Sequence, residues 1–358
     1  MSKQTMWDVP EDQISAVHAL EGKTLKSGWL VKERVKQKPG ATGGHFSVCY
    51  IAENNGVSGF LKALNILTFV RDDKKDLPQA MAEMLNTYNY EKEILKRCSD
   101  QKLSKVSKFL EAGEENFAGF LFANVYYMIF EKGEGDVRNH LRFSVSVDTA
   151  WKLRSLHNIA TGLMQLHSNK ISHQDLKPSN VFVFDKVTSK VGDLGRSLCQ
   201  NLNAPHSHLD FSGDNRYAPP EVFHGFVLPD WNDKTFAIDC YLLGSMATFY
   251  FTGQSMTALL SQNIDSKINI LSLNFDSALP YWITAFESSI DVLMDHLDDY
   301  QERGELINVV RMLCFPDPSK RGHVKNIKET GNNYKLTRFV ELFNLLASKA
   351  EFRLLKGN

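Results

Sequence analysis

Apolar and polar positions change in short runs over the first third of the chain and at helical spacing over much of the rest. Trp29 to Val35 and Gly59 to Leu64 read as strands, the second holding a single lysine, Lys62. Between them Pro39-Gly-Ala-Thr-Gly-Gly-His-Phe-Ser-Val-Cys-Tyr50 forms a glycine-containing turn. Pro78 to Arg97 is helix-like, with Pro78 suited to the first turn. Within it Glu91 shares a face with Ile94 and Leu95, whereas Glu93 falls with Lys96 and Arg97. Tyr126 to Phe130 is a further strand. From Ser146 to His167, Trp151, Leu156, Ile159, Leu163 and Leu166 recur at helical spacing, and Ser146 can cap that helix. Val181 to Phe184 is a short apolar strand, and Lys190-Val191 marks the next. Helices are expected around Tyr281 to Leu297 and, as one amphipathic element, from Asn326 to Asn358. Ahead of all this, Asp8 and Pro10 start a short helix with Ile14, Val17 and Leu20 on one face, read as an extension packed on the domain.

Composition narrows the partners. The chain has 358 residues, 43% of them hydrophobic and 23% charged, which is ordinary for a globular protein with a substantial core. A formal net charge of -1 gives no broad pull toward nucleic acid or an anionic membrane. The most apolar run, Tyr241 to Phe251, is too short to span a bilayer, and the polar start MSKQTMWDVPEDQ lacks the core of a signal peptide. Cys49, Cys98, Cys199, Cys240 and Cys314 are scattered without CxxC spacing, so free thiols and a cytoplasmic location are expected.

The chemistry concentrates in Ile171 to Gly195, ISHQDLKPSNVFVFDKVTSKVGDLG. His173-Gln-Asp-Leu-Lys-Pro-Ser-Asn180 precedes one strand, and a second strand leads into Gly192-Asp-Leu-Gly195. Two loops rich in carboxylate and amide oxygens at adjacent strand ends suit phosphoryl transfer. Asp175 is the candidate base for a hydroxyl, Lys177 the neutralising cation, and Asn180 and Asp193 hard oxygen ligands for Mg²⁺ on ATP phosphates.

HQDLKPSN resembles the catalytic loop of eukaryotic-type serine/threonine protein kinases, and DLG resembles their DFG motif. The resemblance extends over roughly residues 28 to 335. It implies an α+β, two-lobed protein kinase fold: a β-rich small lobe over 28–131 and a mainly helical large lobe over 132–335, with an extension at 1–27 and a terminal helix at 336–358. It gives Lys62 the α/β-phosphates of ATP and Glu91 the role of its partner. It makes Thr42, Gly43, Gly44, Phe46 and Cys49 the loop over the phosphates, with Thr42 and Ser47 in place of the outer glycines and Cys49 in place of valine. Phe130 becomes the bulky residue behind adenine and Glu131 to Gly133 the hinge. Asp136 either contacts ribose or caps a helix. The resemblance further implies ATP- and Mg²⁺-dependent transfer to serine or threonine hydroxyls of protein substrates, including the kinase itself. A nucleotide-binding pseudokinase module and a small-molecule phosphotransferase are the competing classes. Neither nucleic acid nor membrane is an expected partner, and regulation would come through a protein partner, the helical region 254–312 or the termini.

Several residues depart from the family pattern. Gln174 replaces the arginine that grips a phosphorylated activation loop, and Leu194 replaces the DFG phenylalanine. Asp214 stands where a threonine is usual. Ser197, Ser207 and Ser212 are candidate phosphorylation sites, whereas Cys199, His206, His208 and Asp210 lack a familiar zinc spacing. Tyr217-Ala-Pro-Pro-Glu221 resembles the APE element, and Asp239 the buried aspartate that anchors the catalytic loop. Glu221 and Arg321 are then expected to form a buried ion pair.

Overall fold

The computed structural model describes residues 9–36, 46–71, 75–143, 148–330 and 332–356. Thr42, Gly43, Gly44, Asp8 and Ser146 therefore lie outside the described residues. The chain divides into two compact units, one of residues 1–102 and 107–133, the other of 103–106 and 134–358.

The first unit is built on one antiparallel sheet of five strands. In chain order these are β1 (Leu30–Arg34), β2 (Ser47–Asn54), β3 (Val57–Leu64), β4 (Phe109–Asn116) and β5 (Asn124–Glu131), with spatial order β1-β2-β3-β5-β4. The alternating face of Val48, Tyr50, Ala52, Leu61, Ala63, Val125, Tyr127 and Ile129 is buried, as a period of two requires when one face is covered. After the short helix α1 (Glu11–Ile14), the turn Ala16–His18 and the residues that follow it bring Val17, Leu20 and Leu25 into that same core. The Tyr50 hydroxyl donates to the Val17 carbonyl at 2.7 Å. This N-terminal segment is part of the core, and deleting it would expose the sheet face.

After α2 (Ile66–Val70), helix α3 (Leu77–Asp100) starts in a capping box. The Asp76 carboxylate accepts from Gln79 N at 2.8 Å, and Gln79 Oε1 accepts from Asp76 N at 3.2 Å. Ile94, Leu95 and Glu91 share its buried face.

The second unit is mostly helical. It holds β6 (Gly135–Asp136), α4 (Val137–Phe143), α5 (Thr149–Ser168), β7 (Ile171–Ser172), β8 (Val181–Phe184), β9 (Thr188–Val191) and β10 (Leu198–Cys199). Then come α6 (Trp231–Thr252), α7 (Met256–Gln262), α8 (Phe275–Asp295), α9 (Arg303–Cys314), α10 (Val324–Thr330) and α11 (Thr337–Lys356). Asp148 caps α5, accepting from Trp151 N, so this helix begins after the residue expected to cap it. Helix α8 starts at Phe275, well before Tyr281, because the Asn274 side chain caps it at Ser277 N; Pro280 lies inside the helix.

The single terminal helix expected from Asn326 is corrected to two, α10 and α11. Gly331-Asn-Asn333 is poor helix-forming sequence, and Asn326 Nδ2 is drawn to the Lys335 carbonyl at 2.8 Å. Helix α11 then lies along α5, where Arg154 clasps Glu351 through Nε and Nη2, both at 2.7 Å. Helix α6 is buried nearly all round. At Gly244 a Cβ would meet Cys314 Sγ at 2.4 Å, so glycine permits the close approach of α6 and α9. No described helix is long and apolar enough to cross a membrane.

Candidate active site

In the first unit Lys62 sits on β3 opposite Cys49 and Met128, and Glu91 sits on the buried face of α3. Lys62 Nζ donates to Glu91 Oε1 at 3.0 Å and to Oε2 at 3.2 Å. Glu91 is 1% exposed, so this cation supplies the compensation that a buried carboxylate needs. Glu93 is exposed and pairs along its own helix with Arg97 at 3.1 Å. Phe130 is buried and meets Phe109 edge-on, while Phe46 is largely exposed with its ring 5.5 Å from that of Phe69. Glu131 Oε1 accepts from Lys108 N at 2.6 Å, and Cys49 is half-buried on β2.

In the second unit the central stretch is held from below by one carboxylate. Asp239, fully buried in α6, accepts from Ser172 Oγ, His173 N, Gln174 N and His167 Nε2, all at 2.8 Å. Burial alone would disfavour its charge, but the His167 hydrogen bond and nearby donors outweigh that and hold its carboxyl below the usual range. The grip lets Gln174 take a left-handed backbone, φ 64°, which is uncommon for a residue other than glycine. Gln174 itself is buried, and its side-chain amide donates to Ser172 Oγ and the Thr235 carbonyl. The position therefore acts as a brace and presents no exposed cation.

Asp175 collects three donors on its carboxylate. Lys177 Nζ lies 3.1 Å from Oδ1 and 2.9 Å from Oδ2, Asn180 Nδ2 donates to Oδ2 at 3.0 Å, and Asp214 N donates to Oδ1 at 2.9 Å. Because the Asn180 side-chain nitrogen is spent on Asp175, Oδ1, which accepts from Ser179 Oγ at 3.3 Å, is the side-chain atom suited to a cation. The loop bearing Asp193 is tied to this one twice. Gly192 N donates to the Asn180 main-chain carbonyl at 2.9 Å, and His173 Nε2 donates to the Gly192 carbonyl at 3.1 Å. Asp193, φ 59°, is also left-handed. An amide oxygen and a carboxylate, on loops locked together, fit a hard cation such as Mg²⁺.

Asp136 spends its carboxylate locally: Oδ1 accepts from Asn139 N at 2.8 Å and Oδ2 from Asn139 Nδ2 at 3.0 Å, at the start of α4. The helix-capping role is therefore the one the geometry displays. Gly133 is half-buried just after β5.

The expectation that Ser197 and Ser212, in the segment after Asp193, are candidate phosphorylation sites is corrected. Ser197 is 0% exposed with its hydroxyl on the Leu194 carbonyl, and Ser212 is 4% exposed with its hydroxyl on the Arg196 carbonyl, so neither presents a hydroxyl for modification. Ser207 is exposed. Cys199, His206, His208 and Asp210 form no metal-holding group among the described residues; His206 Nε2 instead donates to the Ser197 carbonyl at 3.1 Å. Glu221 and Arg321 meet as a bidentate buried pair at 2.7 and 2.9 Å.

Sequence reasoning passed over His167, His173 and Arg216. The first two are ordinary helix-end and loop histidines by local pattern, and only their bonds to Asp239 and Gly192 reveal their work. Arg216 followed Asp214 by two residues, a spacing that could have signalled a local pair.

A family described as protein kinase domain matches residues 44–331. Among curated proteins, an Aurora kinase of Debaryomyces hansenii is 24% identical over 55% of this chain and 42% of its own length. A probable serine/threonine-protein kinase, gdt4, of Dictyostelium discoideum is 26% identical over 63% of this chain and 15% of its own length. Mitogen-activated protein kinase kinase kinase 5 of Arabidopsis thaliana is 26% identical over 59% of this chain and 27% of its own length. The matched region spans less than half of each of these relatives.

Proposed function

Because the chain belongs to the protein kinase domain family, with its α+β fold, we propose that it transfers the γ-phosphoryl group of ATP to serine or threonine hydroxyls of proteins. The observation that carries this reading is the Asp175 carboxylate, fixed by Lys177, Asn180 and the Asp214 N–H in a water-poor loop. A carboxylate so held has one geometry in which to accept a hydroxyl proton, and proton transfer of this kind contributes on the order of 10²–10⁴ in rate. Lys177 supplies positive charge toward the transferring group. Lys62, oriented by Glu91, is the cation for the remaining phosphates. Asn180 and Asp193 would hold Mg²⁺, which when bound neutralises phosphate charge. Lysine two residues after the base, and a relative named as a probable serine/threonine-protein kinase, support the acceptor class.

The test is label transfer from γ-labelled ATP with Mg²⁺ to a generic basic protein substrate, with Asp175→Ala beside the wild type. Loss of transfer in the variant and recovery of labelled phosphoserine or phosphothreonine are expected. Equal labelling by both proteins, or label on tyrosine alone, would overturn the assignment.

A further inference from the structure

The second unit places an unusual charge beside Asp175. Asp175, Lys177 and Asp214 have side chains 9%, 9% and 13% exposed, so two carboxylates share one buried ammonium. A buried cluster with an excess negative charge requires compensation. It comes from Arg216, which holds Asp214 bidentately, Nε to Oδ1 at 2.9 Å and Nη2 to Oδ2 at 2.6 Å. Burial works against the charge of Asp214, but these bonds and Lys177 outweigh it and keep its carboxyl below the usual range.

The distances show how the pair is shared. Lys177 Nζ is within hydrogen-bond distance of both Asp175 oxygens, yet 3.6 Å from Asp214 Oδ2. That is beyond a good hydrogen bond. Lys177 has three N–H donors. Toward Asp175 it makes one hydrogen bond and one ion-pair contact, it makes no hydrogen bond to Asp214 among the described residues, and Arg216 holds the Asp214 carboxylate.

We infer that Asp214 and Arg216 are a paired positioning device for Lys177: Arg216 restrains the Asp214 carboxylate so that one Lys177 N–H stays available to an incoming phosphoryl oxygen. This rests on the phosphotransferase reading above. Without Arg216, the unbalanced Asp214 closes on Lys177, consumes one of its donors and screens its charge from the phosphate. Arg216 has a side chain 63% exposed, so solvent screens the pair and the effect is moderate.

The experiment is steady-state transfer by full-length wild type, Arg216→Ala, Asp214→Asn and the double variant. Asp214→Asn keeps the backbone N–H on Asp175 and removes only the charge. Arg216→Ala is expected to lower kcat about fivefold with the KM for ATP little changed. The double variant should recover to within about twofold of Asp214→Asn, because no carboxylate then remains to capture Lys177. A double variant as slow as Arg216→Ala would mean that Arg216 only braces the loop, and would overturn the inference, as would an Arg216→Ala protein with unchanged kcat. A crystal structure of Arg216→Ala decides the same point without activity. Asp214 Oδ2 moving to about 3 Å from Lys177 Nζ supports the device, and an unmoved carboxylate overturns it. A wild-type chain that transfers no phosphate overturns the kinase reading itself, and the distance in that variant structure still judges the pairing.

Discussion

Removing Glu221 should be among the most damaging single changes to the second unit, and the reason can be worked from its partner. Arg321 is 0% exposed. It donates to Glu221 Oε1 at 2.7 Å and Oε2 at 2.9 Å, and to the carbonyls of Ala237, Phe315 and Pro316 at 3.0, 3.1 and 3.4 Å. Its guanidinium also lies 5.1 Å from the centre of the Tyr241 ring. Burial works against its charge, but Glu221 outweighs this and raises its pKa, so the arginine cannot escape by losing a proton. At that spacing and an effective dielectric of ~20, the Coulomb attraction alone is about 6 kcal/mol. The carbonyls return part of it. Glu221→Ala is therefore expected to cost roughly 3–5 kcal/mol, the range for breaking a buried pair from one side. For a unit of this size that is a fall in Tm of about 6–20 °C. Calorimetric and urea unfolding measure it, with Glu221→Leu/Arg321→Met as control. Apolar replacement of both partners removes the stranded charge, so the double variant should lie nearer to wild type than Glu221→Ala does. A loss under about 1 kcal/mol in Glu221→Ala, or a double variant worse than the single, would refute the reasoning.

Other outcomes follow from the same geometry. Lys62→Met strands the buried Glu91 carboxylate and should lower the stability of the first unit by about 1–3 kcal/mol while abolishing transfer, read by urea unfolding and label incorporation. Asp239→Ala releases four donors at once and should cost at least 3 kcal/mol or so, with hydrogen exchange accelerated at His173 and Gln174; unchanged protection there would count against the anchor. Gly213→Ala would place a Cβ 2.2 Å from the Gln174 carbonyl, so it should slow transfer by displacing the base loop; full activity would show the loop yields freely. Burial holds the pKa of His206 below its ordinary 6.5, so the histidine stays neutral where the unfolded chain already binds a proton. Stability should then fall as pH drops below about 6.5, by up to about 1.4 kcal/mol per pH unit until the folded-state pKa is reached. His206→Gln should flatten that slope in acid unfolding curves.

Much of the local architecture was legible in the chain itself. Strands Val57–Leu64 and Val181–Phe184 and helix Leu77–Asp100 follow from apolar periodicity and caps, which depend on residues only a few positions apart. The same periodicity separated Glu91 from Glu93, since only one of them shares a face with Ile94 and Leu95. The order of oxygen-bearing residues from Asp175 to Asp193 was likewise open to reading, because phosphoryl transfer demands those groups in that compass.

What the chain alone left undecided lies in partners that arrive from afar or bury a polar group. Ser197 and Ser212 looked like exposed loop hydroxyls until backbone carbonyls claimed them. Ser172 and Asp239 are 67 positions apart, and Glu221 and Arg321 are 100 apart. Short-range patterns state that a side chain can accept or donate, but only the packed fold states what stands opposite it. The N-terminal turn at Ala16–His18 reads locally as part of an extension packed on the domain; only the fold shows that it joins the core around Tyr50. Asp214 likewise reads as a substitution of uncertain consequence. Its meaning comes from Arg216 on one side and Lys177 on the other, at distances that only tertiary structure fixes. Sequence determines which groups and local elements are present; the long-range fold decides which charges must share a space, and that sharing sets their chemistry.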